Sequence, residues 1–245
     1  MRVRTGISGF DELIEGGLIK NQLYLVSGSP GSGRSTFGIQ FLVQGALQSE
    51  KGLYVALTEK PANVIKFMSR YNFNLINHVK EKKIFFMDGT QELLGDTGKA
   101  KRPGTEGTEV FDFGIEPSTS KTLFEKIEPI IKKTGITRLV VDSTMLLVFL
   151  TKAKETEEKQ MVKNINILKQ MEVTTVLLSE QVEPNLYKLE HYLCDGVILM
   201  HNLTGYEDIE MNRAIQIIKM RGTKHDNLLH PLSFTDGGLL VETKK

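Results

Sequence analysis

The sequence predicts an α/β fold, with a mostly parallel central sheet flanked by helices and finished by antiparallel C-terminal strands. Three observations carry this. Apolar, β-branched runs alternate with stretches of helical period through the first two thirds of the chain. The last third instead holds three strand-like runs separated by turns, with no long helix between them. The length, 245 residues, suits one large α/β domain, and neither an internal repeat nor a linker divides it, so residues 1–245 are expected to form a single domain.

The elements follow in order. "QLYLVSG" (Gln22–Gly28) reads as a strand, and "RSTFGIQFLVQGALQ" (Arg34–Gln48) as an amphipathic helix that begins inside a glycine-rich loop. "GLYVALT" (Gly52–Thr58) is a second strand, followed by a helix from Pro61 to Tyr71, whose proline suits a first helical turn. "KIFFMDG" is a third strand. From Gln91 to Ser120 the pattern breaks: five glycines and two prolines among small polar residues predict a long flexible loop. "STSKTLFEKIEPIIKKTG" is a helix with a hydroxyl cap, a glycine stop and an interior Pro129 that can kink it. "RLVVDS", a polar helix over about Glu155 to Met171, and "TTVLLSEQ" complete the alternating part. "DGVILMHN", "RAIQIIKMR" and "GGLLVET" are the C-terminal strands.

Composition narrows the function classes. A hydrophobic fraction of 40% with 25% charged residues is that of an ordinary globular protein, and the net charge of +1 gives no global attraction to nucleic acid. The single cysteine, Cys194, excludes an intramolecular disulfide and a cysteine-rich zinc site. There is no apolar run long enough for a membrane span, and the N-terminus lacks the apolar stretch of a signal peptide; the expected location is cytoplasmic.

The chemistry concentrates in "GSPGSGRST", Gly28, Ser29, Pro30, Gly31, Ser32, Gly33, Arg34, Ser35 and Thr36. Phosphate binding by a loop needs converging backbone N–H groups, hence glycines, and the positive end of the helix that follows. The Ser35 hydroxyl is placed to ligate Mg²⁺. Arg34 stands where the pattern has lysine. Guanidinium keeps the charge and forks onto phosphate oxygens, but it is bulkier and planar, so it preserves affinity while shifting the γ-phosphate from the geometry of in-line attack. Since this catalysis is mainly positioning, a shift of about 1 Å costs on the order of 10²-fold. "RLVVDS" is an apolar strand ending in an acid, so Asp142 is expected to hold Mg²⁺ through water opposite Ser35. Glu59, at a strand end in "ALTEKP", is the carboxylate best placed to act on the attacking water.

Together these blocks resemble the single-domain KaiC-like ATPases of the RecA superfamily. "TGISGFDELIEGGLIKNQLYLVSGSPGSG" is similar to the family's opening block, and "GLYVALTEKP", "RLVVDS", "TTVLLSEQ", "CDGVILM" and "IIKMRGTKH…HPLSFTDGGLLV" to later ones, in order along nearly the whole chain. The resemblance implies a RecA-like fold, ATP or ADP with Mg²⁺, and a homohexameric ring with nucleotide between subunits. It also implies that Lys219 and Arg221, in "KMRG", reach a neighbour's γ-phosphate as catalytic cations. Of the family's paired glutamates only Glu59 is present, the first position being Thr58. Three functions stay open at this point: a slow ATPase or ATP-driven switch, a nucleotide-binding regulatory module without significant hydrolysis, and a recombinase-like protein that binds single-stranded DNA. For the last, the basic "GKAKRPG" (Gly98–Gly104) with Phe111 and Phe113 is the candidate contact.

Overall fold

The computed structural model describes residues 1–89, 123–144, 156–180, 187–204 and 211–243. The whole of the expected Gln91–Ser120 loop, with the basic segment Gly98–Gly104, Phe111 and Phe113, lies outside the described residues.

Nine strands form one sheet in the order β11-β10-β9-β8-β3-β7-β6-β4-β5. Its parallel part contains β3 (Leu23–Gly28), β4 (Lys51–Ala56), β5 (Ile84–Asp88), β6 (Ile136–Asp142), β7 (Thr174–Glu180) and β8 (Gly196–Thr204). The edge formed by β9 (Met211–Met220), β10 (His230–Thr235) and β11 (Gly238–Val241) is antiparallel, as the change of character in the last third predicts. A small hairpin-like pair, β1 (Arg2–Val3) with β2 (Leu18–Ile19), stands apart from this sheet. Two residues per strand are too few for alternation to register in a sequence.

Strand alternation divides the core into two layers. Tyr24, Val26, Tyr54, Phe86 and Val140 face one way, onto Phe37, Phe41 and Leu42 of α2 (Arg34–Leu47) and the short helices α3 (Pro61–Met68) and α4 (Leu75–Lys80). Leu25, Val55, Leu139 and Leu177 face the other way. There they meet Phe124, Ile127 and Ile131 of α5 (Leu123–Thr134) and Ile165 and Leu168 of α6 (Glu157–Gln170). Both sheet faces are therefore covered, which is why β3, β6 and β7 read as continuous apolar runs. Pro129 lies inside α5, and the helix runs through it to Thr134. Two further short helices among the described residues are α1 (Phe10–Leu13) and α7 (Leu189–Leu193).

One buried cation braces this core. Arg138, on β6 and 1% exposed, pairs with Glu50 at 2.5 Å and donates to the carbonyls of Arg4 (2.7 Å) and Phe41 (2.8 Å). A Cβ at Gly45 would lie 2.5 Å from the Arg138 Nε, so the guanidinium requires a glycine on α2 at that point. The brace sits at the amino ends of the parallel strands, where Arg138 stands opposite Gly52 and Thr174, away from the carboxyl ends of those strands.

Candidate nucleotide-binding site

The crevice at those carboxyl ends collects most of the residues singled out in the sequence. β3 ends at Gly28, and the loop turns through Gly31 (φ +78°) and Gly33 (φ +104°), both in backbone conformations that L side chains rarely adopt. At Gly28 a Cβ would lie 2.4 Å from the Met200 carbonyl oxygen, and at Gly33 2.8 Å from the Phe234 ring. The glycines thus serve both the turn and a close approach to β8 and β10. Gly33 caps α2, whose first residue is Arg34, so the free N–H groups of the helix open onto the loop.

Ser35 and Asp142 meet although 107 positions separate them: the Ser35 hydroxyl donates to Asp142 Oδ2 at 2.8 Å. The same carboxylate oxygen accepts from the Tyr54 hydroxyl. Burial, then the Asp142 charge, pushes the Tyr54 phenol well above its ordinary range, so it stays a neutral donor. β4 and β6 are paired in register, Tyr54 opposite Val140 and Ala56 opposite Asp142, which brings the tyrosine under the carboxylate.

Glu59 lies just past β4, exposed on the same side of the sheet, and accepts from the Lys60 N–H at 3.2 Å and from the Asn63 side-chain amide. Strand β4 ends at Ala56, two residues before the expected Thr58, although Leu57 still donates to the Asp142 carbonyl at 2.6 Å. The Arg34 guanidinium turns to Glu180, the last residue of β7, with Nη2 3.7 Å from its carboxylate. Arg34 and Glu180 side chains are 12% and 36% exposed.

Lys219 and Arg221 do not join this crevice. β9 runs antiparallel to β8, with Met220 opposite Gly196, while Gly28 lies opposite Met200. Four residues of strand, about 13 Å, separate the two levels, so both cations emerge at the other end of the sheet. There Lys219 donates to the His191 and Tyr192 carbonyls at 2.7 and 3.2 Å. Arg221 and Lys169 converge on Asp195, at 3.1 and 3.0 Å. Burial, and next the Arg221 charge, draws the Lys219 ammonium below its ordinary range. Cys194 is buried beside this cluster, and burial pushes its thiol up to about 12, the environment of a structural rather than a reactive cysteine.

Three residues at the loop escape a reading by motif. The Asn202 amide, on β8, donates to Ser29 Oγ (3.1 Å) and to the Pro30 carbonyl (2.9 Å). Arg213, on β9, donates to the Gly31 carbonyl at 3.2 Å and lies over the Phe234 ring. Glu180 is the third. The polar residues ending "DGVILMHN" and opening "RAIQIIKMR" were the available signal, but only the antiparallel pairing of Asn202 with Arg213 brings them together.

The residues fit a phosphate ester and a divalent cation. Ser32 Oγ, Arg34 Nη1 and Ser143 Oγ are buried without a hydrogen-bond partner, at the loop and the strand end beside it. Glycines 28 and 33 form a cradle that a Cβ would fill. Ser35 and Asp142 supply the hard oxygen donors magnesium prefers. Among the described residues no group of three or more His, Cys, Asp or Glu could hold a metal ion. None of the described helices is long and apolar enough to cross a membrane.

Comparison with known proteins agrees with this geometry. The chain is 31% identical to the circadian clock oscillator protein KaiC of Synechococcus elongatus, over 98% of its own length but 44% of that protein. It therefore spans less than half of such relatives. It is 29% identical to a UPF0273 protein of Aeropyrum pernix, covering 100% of this chain and 94% of that one. The crystal structure of a KaiC-like protein from Pyrococcus horikoshii superposes with a TM-score of 0.78 at 28% identity, over 99% of both chains. A sequence model of the family described as "ATPase: KaiC" matches residues 3–245. With a glycine loop on β3, a serine–aspartate pair beneath it and this likeness along its length, the chain belongs to the KaiC family of RecA-like ATPase domains.

Proposed function

We propose that the protein binds ATP or ADP at Gly28–Thr36 and hydrolyses ATP slowly, as a switch assembled into rings with nucleotide at the subunit interfaces. The observation that carries this is the contact between Ser35 and Asp142 directly under the glycine loop. Backbone N–H groups of residues 31–36 receive the phosphates, Ser35 and Asp142 would hold Mg²⁺, and Tyr54 keeps that carboxylate in place. The metal neutralises charge on the phosphates when bound. Glu59 orients the attacking water from the end of β4.

Lys219 and Arg221 act on the site of the next subunit. Their place at the opposite end of the sheet from their own loop supports this, because neither can serve the chain that carries it without unfolding β9. In trans they stabilise charge that spreads onto the γ-phosphate. A ring of six subunits, the number the resemblance implies, is part of the same proposal, as is the single-domain organisation over residues 1–245.

Slowness follows from Arg34 and Thr58. The guanidinium has Nη2 3.7 Å from the Glu180 carboxylate, and one member of the glutamate pair is missing. The test is ATP binding and turnover on the parent and on Arg34→Lys, with and without single-stranded DNA. The lysine variant should turn over about tenfold or more faster at similar affinity. A brisk parent rate that the lysine does not raise shows arginine to be a competent substitute. Binding with no turnover in either protein leaves the regulatory module as the function, and a large DNA stimulation that fades with salt favours the recombinase-like one.

A further inference from the structure

We propose that Glu180 is the positioning residue of Arg34, competing with the nucleotide's phosphate for the guanidinium and so setting the affinity of the loop. The inference rests on the nucleotide site described above. β7 lies beside β3 with Glu180 opposite Gly28, so the carboxylate stands at the mouth of the loop by strand register and not by the chance fold of a surface side chain. Its oxygen is 3.7 Å from Arg34 Nη2, and the arginine is largely buried there. Arg34 Nη1 is buried with no hydrogen-bond partner, so the guanidinium is held to Glu180 by one arm while the other stays unused.

The charge pattern points the same way. Helix α2 has no acidic residue in its first turn, although a helix N-terminus favours a negative group. Two carboxylates reach that end from neighbouring strands, Asp142 from β6 to Ser35 and Glu180 from β7 to Arg34. A phosphate in the loop addresses the same two features, the helix end and the guanidinium. Carboxylate and phosphate both draw on the single positive charge of the guanidinium, so a carboxylate beside it weakens its pull on a phosphate. Phosphate entry, through the unused Nη1 arm, therefore sets a second anion against Glu180 for the charge of Arg34. A lysine at the same position, with a point charge and no fork, grips an exposed carboxylate less and is less subject to this competition.

Affinities of ADP and Mg·ATP, by calorimetry, for the parent, Glu180→Gln, Arg34→Lys and the double variant test this. In the arginine background Glu180→Gln should tighten ADP about two- to fivefold, the scale of losing one partly exposed ion pair. In the lysine background the same change should give less than about half that gain on a logarithmic scale. Damage to the fold weakens binding, so it does not imitate a gain; Glu180→Ala repeats the measurement should the glutamine variant be unstable. No tightening, or the same tightening in both backgrounds, overturns the role of Glu180 as Arg34's positioning residue. A parent protein that binds neither nucleotide overturns instead the nucleotide site itself.

Discussion

Ser35 has the simplest chemistry at the site, one hydroxyl donating to one carboxylate. If that hydroxyl also ligates Mg²⁺, Ser35→Ala should weaken Mg·ATP by about tenfold and metal-free ADP by less than about twofold. Titrations of both nucleotides decide it, and equal losses would remove the metal role. Arg34, Ser35, Asp142 and Glu59 were all legible in the sequence, because each stands in or beside a short motif at a strand end. Tyr54, Glu180, Asn202 and Arg213 were not. Each lies on a different strand, and what brings them to the loop is lateral pairing across β4, β7, β8 and β9. No local spacing encodes that. Conversely, Lys219 and Arg221 were legible only through resemblance; their position at the far end of the sheet is information that the fold alone supplies.

The phosphate loop behaves as one element with β8 and β10 because it is bonded and packed against them. Gly33 illustrates how little room remains: a methyl there meets the Phe234 ring and, at 3.2 Å, Met200 Cε, on a backbone with φ +104°. Gly33→Ala should cost about 1–3 kcal/mol of stability and weaken both nucleotides, since under the proposed function the helix end it caps receives the phosphates. Urea unfolding with a nucleotide titration checks this. An unchanged midpoint with parental affinity would mean that the loop adjusts freely. At this scale the alternating strands and the long helices were readable from periodicity, with most ends off by a residue or two; β10 was not expected, and α3 ends at Met68, three residues before the expected Tyr71. β1, β2, α1, α4 and α7 are too short to show a period, being stabilised by contacts distant in sequence. The Arg2 guanidinium, for example, donates to the Gly17 carbonyl at 2.9 Å and to Thr223 Oγ at 3.0 Å, holding the β1–β2 corner closed. Arg138 is similar: inside "RLVVDS" it reads as the polar start of a strand, yet it is fully buried by partners up to 134 positions away.

The whole molecule carries a pH dependence and an assembly rule. Burial holds His78, His191 and His201 below the ordinary histidine value of 6.5. The unfolded chain then binds protons near pH 6.5 that the folded chain refuses, so stability is complete above that value and declines as pH falls below it. The urea midpoint should be lower at pH 5.5 than at pH 7.5; an equal or higher midpoint would show that these rings protonate without cost. Assembly follows from the two-ended sheet. The loop, Ser35, Asp142 and Glu59 lie at one end and Lys219 and Arg221 at the other, so under the proposed function each site is completed by a neighbouring chain. A ligand shifts an assembly equilibrium only by differential affinity, and only ATP offers a γ-phosphate to the incoming cations. Sedimentation velocity of the parent and of the Lys219→Ala/Arg221→Ala variant, each with ADP and with Mg·ATP, tests that claim most directly. The account predicts larger species for the parent with ATP than with ADP, and a double variant that binds ADP normally yet gains no mass with ATP. A double variant that assembles with ATP as the parent does would contradict it.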